Sequence, residues 1–153
     1  MRTLLISLLG LLVFRAVTLA DIGTDISKTN RVILKSGAWI PTAAETQKAM
    51  VAIQSFLESS SSTNNLNSWE FDGLKKIRES TKENRVQFYG SIREGRKVIW
   101  CNFIPVPQSG KEDAWKSWKQ NLIFGDDGGF RFWQINYDLG TGKCSNFNIN
   151  ANG

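Results

Sequence analysis

The second half of the chain alternates apolar and polar residues with a period of two, and short glycine-containing turns interrupt this alternation. Val86, Phe88 and Ile92 alternate with polar neighbours before a turn at 93–96, and the β-prone run 98–104 follows that turn. Alternation of this kind places the apolar side chains on one face of a strand. The segment therefore predicts a β-hairpin, with Gly95 available for a positive φ in the turn.

A second hairpin is predicted at the end of the chain. Trp133, Ile135 and Tyr137 alternate with polar residues, and a glycine-containing turn at 138–142 leads into a further alternating run at 143–150. The two hairpins supply about four antiparallel strands. An antiparallel sheet can leave one face to water, which accounts for the polar residues of the alternation.

An amphipathic helix is predicted before these strands. Thr42 and Glu45 have the spacing of a capping box, in which each residue bonds the other's backbone amide. Apolar residues then recur at three- and four-residue spacing from Ala49 to Leu57, which gives the helix one apolar face. The predicted fold class is α+β: an N-terminal amphipathic helix packed on a roughly four-stranded antiparallel sheet.

Four segments leave alternatives open. The apolar run 32–34 is an edge strand or a tether, and the Ser- and Asn-rich tract 59–65 is interpreted as a flexible loop. Residues 69–77 form a short helix or an irregular packed segment. Residues 114–122 form a short helix or a turn, because Trp115, Trp118 and Leu122 fall on one helical face.

The first twenty residues have the pattern of a cleavable secretory signal peptide. A charged start at Arg2 precedes an apolar run at 4–14, and Thr18 and Ala20 stand before the expected cleavage point. This run is shorter than a membrane-spanning helix requires, and Arg15 interrupts it. We therefore expect residues 21–153 to form one secreted or periplasmic domain, with no transmembrane segment after cleavage.

The charge of the chain limits its partners. Removal of Arg2 and Arg15 with the signal peptide lowers the formal net charge from +5 to +3. Lysine and arginine are dispersed among acidic residues, whereas a nucleic-acid-binding domain usually concentrates them on one face. Nucleic acid is therefore an improbable partner, and a protein, peptide or glycan is expected instead.

The chain has two cysteines and no histidine. In an oxidising compartment, Cys101 and Cys144 are expected to form a disulfide, and the alternative is two thiols that pack as small hydrophobes. The absence of histidine removes Ser–His and Cys–His dyads and argues against a zinc site. We expect no metal and no cofactor.

Two charged segments are candidate sites. Asp126 and Asp127 lie in a glycine-rich turn where carboxylates could bind a cation or take a proton, although aspartate also favours turns for local reasons. Arg93 and Arg96, followed by Lys97, could meet an anionic ligand at the tip of the first hairpin. Charges at a hairpin tip also serve simply to keep a sheet edge soluble.

Six tryptophans are numerous for one small core. Trp115 and Trp118 lie beside lysines and could form an exposed aromatic surface for a sugar, a peptide or a protein. Trp100 and Trp133 lie in apolar strands, and core packing is the simpler expectation for both.

Two segments carry a resemblance to a known group: VQFYGSIREGRKVIWCNF, and GDDGGFRFWQINYDLGTGKCSNFNINANG near the end of the chain. They resemble a group of uncharacterised exported bacterial proteins, for which no activity is implied. The helix followed by antiparallel strands also resembles the layout of cystatins. Gln87 to Gly90 is one residue shorter than the cystatin hairpin motif and precedes the turn, so no inhibitory residues are transferred.

The leading functional hypothesis is an exported, non-enzymatic binding domain, of which a protease inhibitor is one version. The alternatives are a hydrolase that uses carboxylates near Asp126, Asp127 and Asp138, and a structural component of the cell envelope. Fold alone does not separate these alternatives.

Overall fold

The computed structural model describes residues 27–60, 68–125 and 128–150, which form two α-helices and one β-sheet. The elements in chain order are β1 (Arg31–Ile33), α1 (Ala43–Ser59), α2 (Ser68–Ser80), β2 (Asn84–Arg93), β3 (Arg96–Pro105), β4 (Trp133–Asp138) and β5 (Cys144–Ile149). The predicted α+β class is confirmed. The predicted signal peptide lies outside the described residues.

The sheet is mixed and has five strands in the order β1-β2-β3-β4-β5. Strands β2 to β5 pair antiparallel as two hairpins, whereas β1 pairs parallel with β2, with Arg31 opposite Val86. The prediction of about four antiparallel strands was therefore wrong in number and direction. The chain between β1 and β2 contains both helices, and such a crossover brings the second strand back in the same direction. Residues 32–34, left open between edge strand and tether, contribute to this edge strand.

Helix α1 begins where the capping box predicts. The Thr42 hydroxyl accepts from the Glu45 amide at 3.2 Å, and the Glu45 carboxylate accepts from the Thr42 amide at 2.7 Å. The hydrogen bond from the Thr42 backbone, followed by that from its side chain, lowers the pKa of Glu45. Ala49, Ile53 and Leu57 are buried along one side of the helix, as their spacing predicts.

Both helices pack on one face of the sheet, here called the helix face. Its core strand residues are Val86, Phe88, Ile99, Cys101, Phe103, Trp133, Ile135, Tyr137 and Ile149. The rings of Phe103 and Trp133 stack in parallel, with centroids 3.6 Å apart. Trp133 is therefore a core residue, as expected. The opposite face of the sheet is called the outer face.

The predicted disulfide is not formed, and both cysteines are free thiols. Cys101 on β3 lies opposite Ile135 of β4, whereas Cys144 on β5 lies opposite Tyr137 of the same strand. Strand β4 therefore separates the two cysteines by two strand spacings, or roughly 9–10 Å. A disulfide needs Cα atoms within about 7 Å. The open alternative was two packed thiols, and Cys101 is fully buried in the core.

Two further segments are settled by the described residues. Residues 69–77 belong to α2 and are helical, whereas 114–122 forms consecutive turns instead of a helix. In the described part of the chain, neither helix has both the length and the apolar content needed to cross a bilayer.

Candidate functional site

The segment 106–125 covers the part of the outer face around Gln87 and Asn102. It is attached through Gln87, a fully buried residue of β2. The Gln87 amide nitrogen donates to the carbonyls of Trp118 at 2.5 Å and Asn121 at 2.7 Å, and its oxygen accepts from the Ile123 amide at 3.0 Å. Asn102 of β3 donates both to Gln87 and to the Ile123 carbonyl. A polar row of the sheet thus fixes the covering segment.

Trp115 and Trp118 belong to this attachment. Trp118 is 5% exposed, and the guanidinium of Arg85 lies 5.0 Å from its ring centroid. Trp115 is half-buried, with its ring edge against Phe132. Arg85 also forms an ion pair at 2.9 Å with Asp113 of the same segment. The two tryptophans therefore hold the segment to the sheet, and Trp118 offers no open ring face to a ligand.

The uncovered part of the outer face contains a cavity of about 570 Å³ at the end where both hairpins turn. We call it the hairpin cavity. Its charged lining residues are Arg93, Glu94, Arg96, Asp138 and Lys143. The β3–β4 register brings the two turns together, because Val98 lies directly opposite Asp138. Of the residues predicted from sequence, the structure thus places Arg93 and Arg96 in one site.

Arg96 is neutralised within the cavity. Its guanidinium contacts Glu94 and Asp138, each at 3.0 Å. Asp138 also accepts from the backbone amides of Thr141 and Gly140. The Thr141 amide is the largest cause of the lowered pKa of Asp138, to which the Gly140 amide and Arg96 also contribute. Asp138 is therefore a fixed carboxylate that orients Arg96.

The other two cations are differently placed. In the part of the chain that the structure describes, neither Arg93 nor Lys143 has a carboxylate within ion-pair distance. Both are exposed on the cavity rim, Arg93 at the end of β2 and Lys143 just before β5. An anion entering the cavity would meet both charges together with the outward-facing part of Arg96.

A buried amide forms part of the cavity wall. Asn136 of β4 lines the cavity and is only 2% exposed, yet among the described residues none donates a hydrogen bond to its Oδ1. Buried polar atoms are nearly always paired, so an orphaned amide oxygen calls for an explanation. This oxygen can accept a hydrogen bond from a ligand in the cavity.

Cys144 borders the cavity, but it lies opposite Tyr137 and packs against the core of the helix face. Burial raises its pKa to about 11. The thiol therefore stays protonated at neutral pH and is a poor nucleophile. Among residues 27–60, 68–125 and 128–150, no group of three potential metal ligands lies close enough to bind an ion.

Asp126 and Asp127, the predicted carboxylate pair, lie outside the described residues. Sequence reasoning did not single out Asn136 or Lys143. Asn136 was recognised only as a polar member of the strand alternation, and Lys143 only as the start of a strand. The sequence signal that could have pointed to these two residues is the repeated grouping of polar and basic residues around both hairpin turns.

Comparison with protein-family models, with curated proteins and with solved structures gives no match for this chain.

Proposed function

We propose that the protein is an exported, non-enzymatic binding domain that holds an anionic ligand in the hairpin cavity. Export rests on the signal-peptide pattern of the first twenty residues. The observation that carries the binding proposal is a pair of cations, Arg93 and Lys143, that have no carboxylate partner among the described residues and lie beside the orphaned amide oxygen of Asn136. A cavity of this size falls in the range of small-ligand sites, which span roughly 300–1,000 Å³.

The charges favour an anion over a cation or a neutral ligand. Three basic and two acidic residues line the cavity, and Arg96 already engages both acidic ones. The remaining positive charge comes from Arg93 and Lys143. An arginine fork offers parallel N–H donors that match a carboxylate or a sulfate, and a lysine adds a point charge.

The hydrolase alternative has less support in this cavity. A general acid or base works best when its pKa lies near the working pH. Backbone amides and Arg96 instead stabilise the charged form of Asp138 and so lower its pKa. The Cys144 thiol is protonated at neutral pH and packs against the helix-face core, so it is a poor nucleophile for this cavity.

Nuclear magnetic resonance titration of the purified protein with galacturonate, a monosaccharide carboxylate, tests the proposal. We expect shifts of amides at 93–98 and 136–146. Replacement of Arg93 and Lys143 together by alanine should weaken binding about tenfold or more, since each charge-assisted bond is among the stronger kinds. Added salt should weaken it as well.

The matched control is Lys75→Ala, which removes an exposed lysine from α2 on the opposite side of the sheet. Its affinity for galacturonate should equal that of the unmodified protein. Equal losses in the double variant and in Lys75→Ala, or shifts that avoid both hairpin turns, would contradict an anion site in the cavity.

A further inference from the structure

Three aromatic side chains lie together where the covering segment meets the uncovered part of the outer face, and we call them the aromatic platform: Tyr89, Trp100 and Phe124. The ring of Phe124 stacks on Trp100 at a centroid distance of 6.0 Å and an interplanar angle of 28°. Tyr89 meets the edge of Trp100 at 6.4 Å. Phe124 is 72% exposed, although its neighbour Ile123 is buried and hydrogen-bonded to the sheet. The covering segment thus presents an apolar ring to solvent from a fixed backbone.

The platform adjoins the hairpin cavity. In the strand register, Tyr89 lies opposite Trp100, Trp100 opposite Asn136, and Asn136 opposite Ser145. These four residues form one row across β2 to β5, and directly opposed side chains stand roughly 5 Å apart. Asn136 and Ser145 both line the cavity. A ligand that reaches Arg93 and Lys143 can therefore also contact the rings of the platform.

We infer that the natural ligand is an acidic saccharide, with a sugar ring on the platform and a carboxylate in the cavity. This inference rests on the proposed function and deepens it. A pyranose ring offers an apolar C–H face that packs against an aromatic ring, and its hydroxyls both donate and accept. The amide of Asn136 and the hydroxyl of Ser145 stand where such hydroxyls would be met.

The position of the platform disfavours a peptide. Peptides that bind sheets commonly pair with the free backbone of an edge strand. Trp100 lies on β3, which is paired on both sides. Tyr89 lies on β2, which pairs with β3 on one side and, on the other, with β1 at 86–88 and with Trp39 at Gly90. A ligand on the platform would contact side chains and not a free strand edge. Such a surface suits a ligand that is recognised by ring stacking and by hydrogen bonds to its hydroxyls.

The test compares trigalacturonate, neutral maltotriose and sulfate by calorimetric titration and tryptophan fluorescence. We expect trigalacturonate to bind best and to change the emission of Trp100, an effect lost in Trp100→Phe. Phe124→Ala should weaken trigalacturonate binding about tenfold, within the range measured for aromatic stacking, and leave sulfate binding unchanged. Because Phe124 is largely exposed, its removal should not affect folding.

Val51→Ala is the control, because it removes another exposed apolar side chain, from α1 on the opposite side of the sheet. Anion binding that depends on Arg93 but is indifferent to Phe124 would overturn the saccharide inference and leave the proposed function standing. Maltotriose binding as tight as trigalacturonate binding would overturn the acidic character of the ligand. Absence of binding by sulfate, galacturonate and trigalacturonate would overturn the proposed function together with the inference.

Discussion

Replacement of Gln87 by methionine should destabilise the protein far more than the same replacement at Gln134. Both glutamines project from the outer face in one row of the sheet, where Gln87 pairs with Asn102 and Asn102 with Gln134. Methionine retains the length and most of the volume of glutamine and removes its hydrogen bonds. The pair of substitutions therefore isolates the contribution of the buried polar contacts.

The magnitude follows from the groups that each replacement leaves unpaired. Gln87→Met orphans the buried amide of Ile123 and removes the donor to the carbonyls of Trp118 and Asn121. One orphaned buried donor costs about 1–3 kcal/mol, and the two carbonyls add a smaller amount because Asn121 can reach water. The free energy of unfolding should fall by about 2–4 kcal/mol.

Within the described part of the chain, the Gln134 side chain bonds the side chains of Asn148 and Asn150, at 3.0 and 2.9 Å. Gln134 is itself half-buried and Asn148 is exposed, so water can replace most of the lost partners. Gln134→Met should therefore cost about 1 kcal/mol or less. Urea denaturation followed by tryptophan fluorescence measures both values. Equal losses, or a loss below about 1 kcal/mol for Gln87→Met, would refute the view that these bonds fasten the covering segment.

Three further outcomes are expected. Glu45→Gln should cost about 0.5 kcal/mol, because glutamine keeps an acceptor oxygen for the Thr42 amide but loses the charge at the helix N-terminus. The pKa of Glu45 is lower in the folded protein than in the unfolded chain. The stabilisation by Glu45 is therefore present above its unfolded pKa and is lost as the pH falls through its folded pKa. Thermal melts of the two proteins should converge in acid. Gly90→Ala should destabilise by about 2 kcal/mol or more in urea melts, since its Cβ would stand 2.2 Å from the carbonyl oxygen of Trp39. Alkylation in denaturant without reductant should label both Cys101 and Cys144. An unlabelled protein whose mass is lower by two hydrogens would instead indicate a disulfide and contradict the free thiols.

The elements with strong local signals could be predicted from the sequence. The capping box located the start of α1 because its two partners are three residues apart, and both hairpins followed from alternation around short turns. Strand β1 could not be predicted in the same way. It has three residues, and its parallel pairing with Val86 to Phe88 depends on a crossover through two helices.

The disulfide prediction failed for a related reason. An oxidising compartment makes pairing of two cysteines chemically reasonable, but geometry decides whether the sulfurs meet. Cys101 and Cys144 occupy β3 and β5, and only the order of the strands shows that β4 lies between them. Strand order is set by long-range pairing, which no local pattern around either cysteine encodes.

The position of Trp100 was within reach of the sequence but was misjudged. It was expected in the core because 98–104 is apolar at nearly every position. Because side chains alternate between the two faces of a strand, Trp100 lies with Asn102 on the outer face, whereas Ile99, Cys101 and Phe103 face the helices. When a strand is apolar on both faces, we expect other parts of the protein to pack over both of its faces. The segment 106–125 covers Asn102, whereas it covers Trp100 only in part, through the ring of Phe124.

The way in which the outer face is covered explains why a site remains there. Gln87 and Asn102 hold the covering segment through directional bonds, and such bonds fix where the segment crosses the sheet. An apolar contact would tolerate sliding toward the next row, over Trp100 and Asn136. Because the polar row specifies the crossing, Trp100 in the next row stays partly exposed, beside the orphaned amide oxygen of Asn136. The polar core of this face therefore both stabilises the cover and determines the edge of the candidate site.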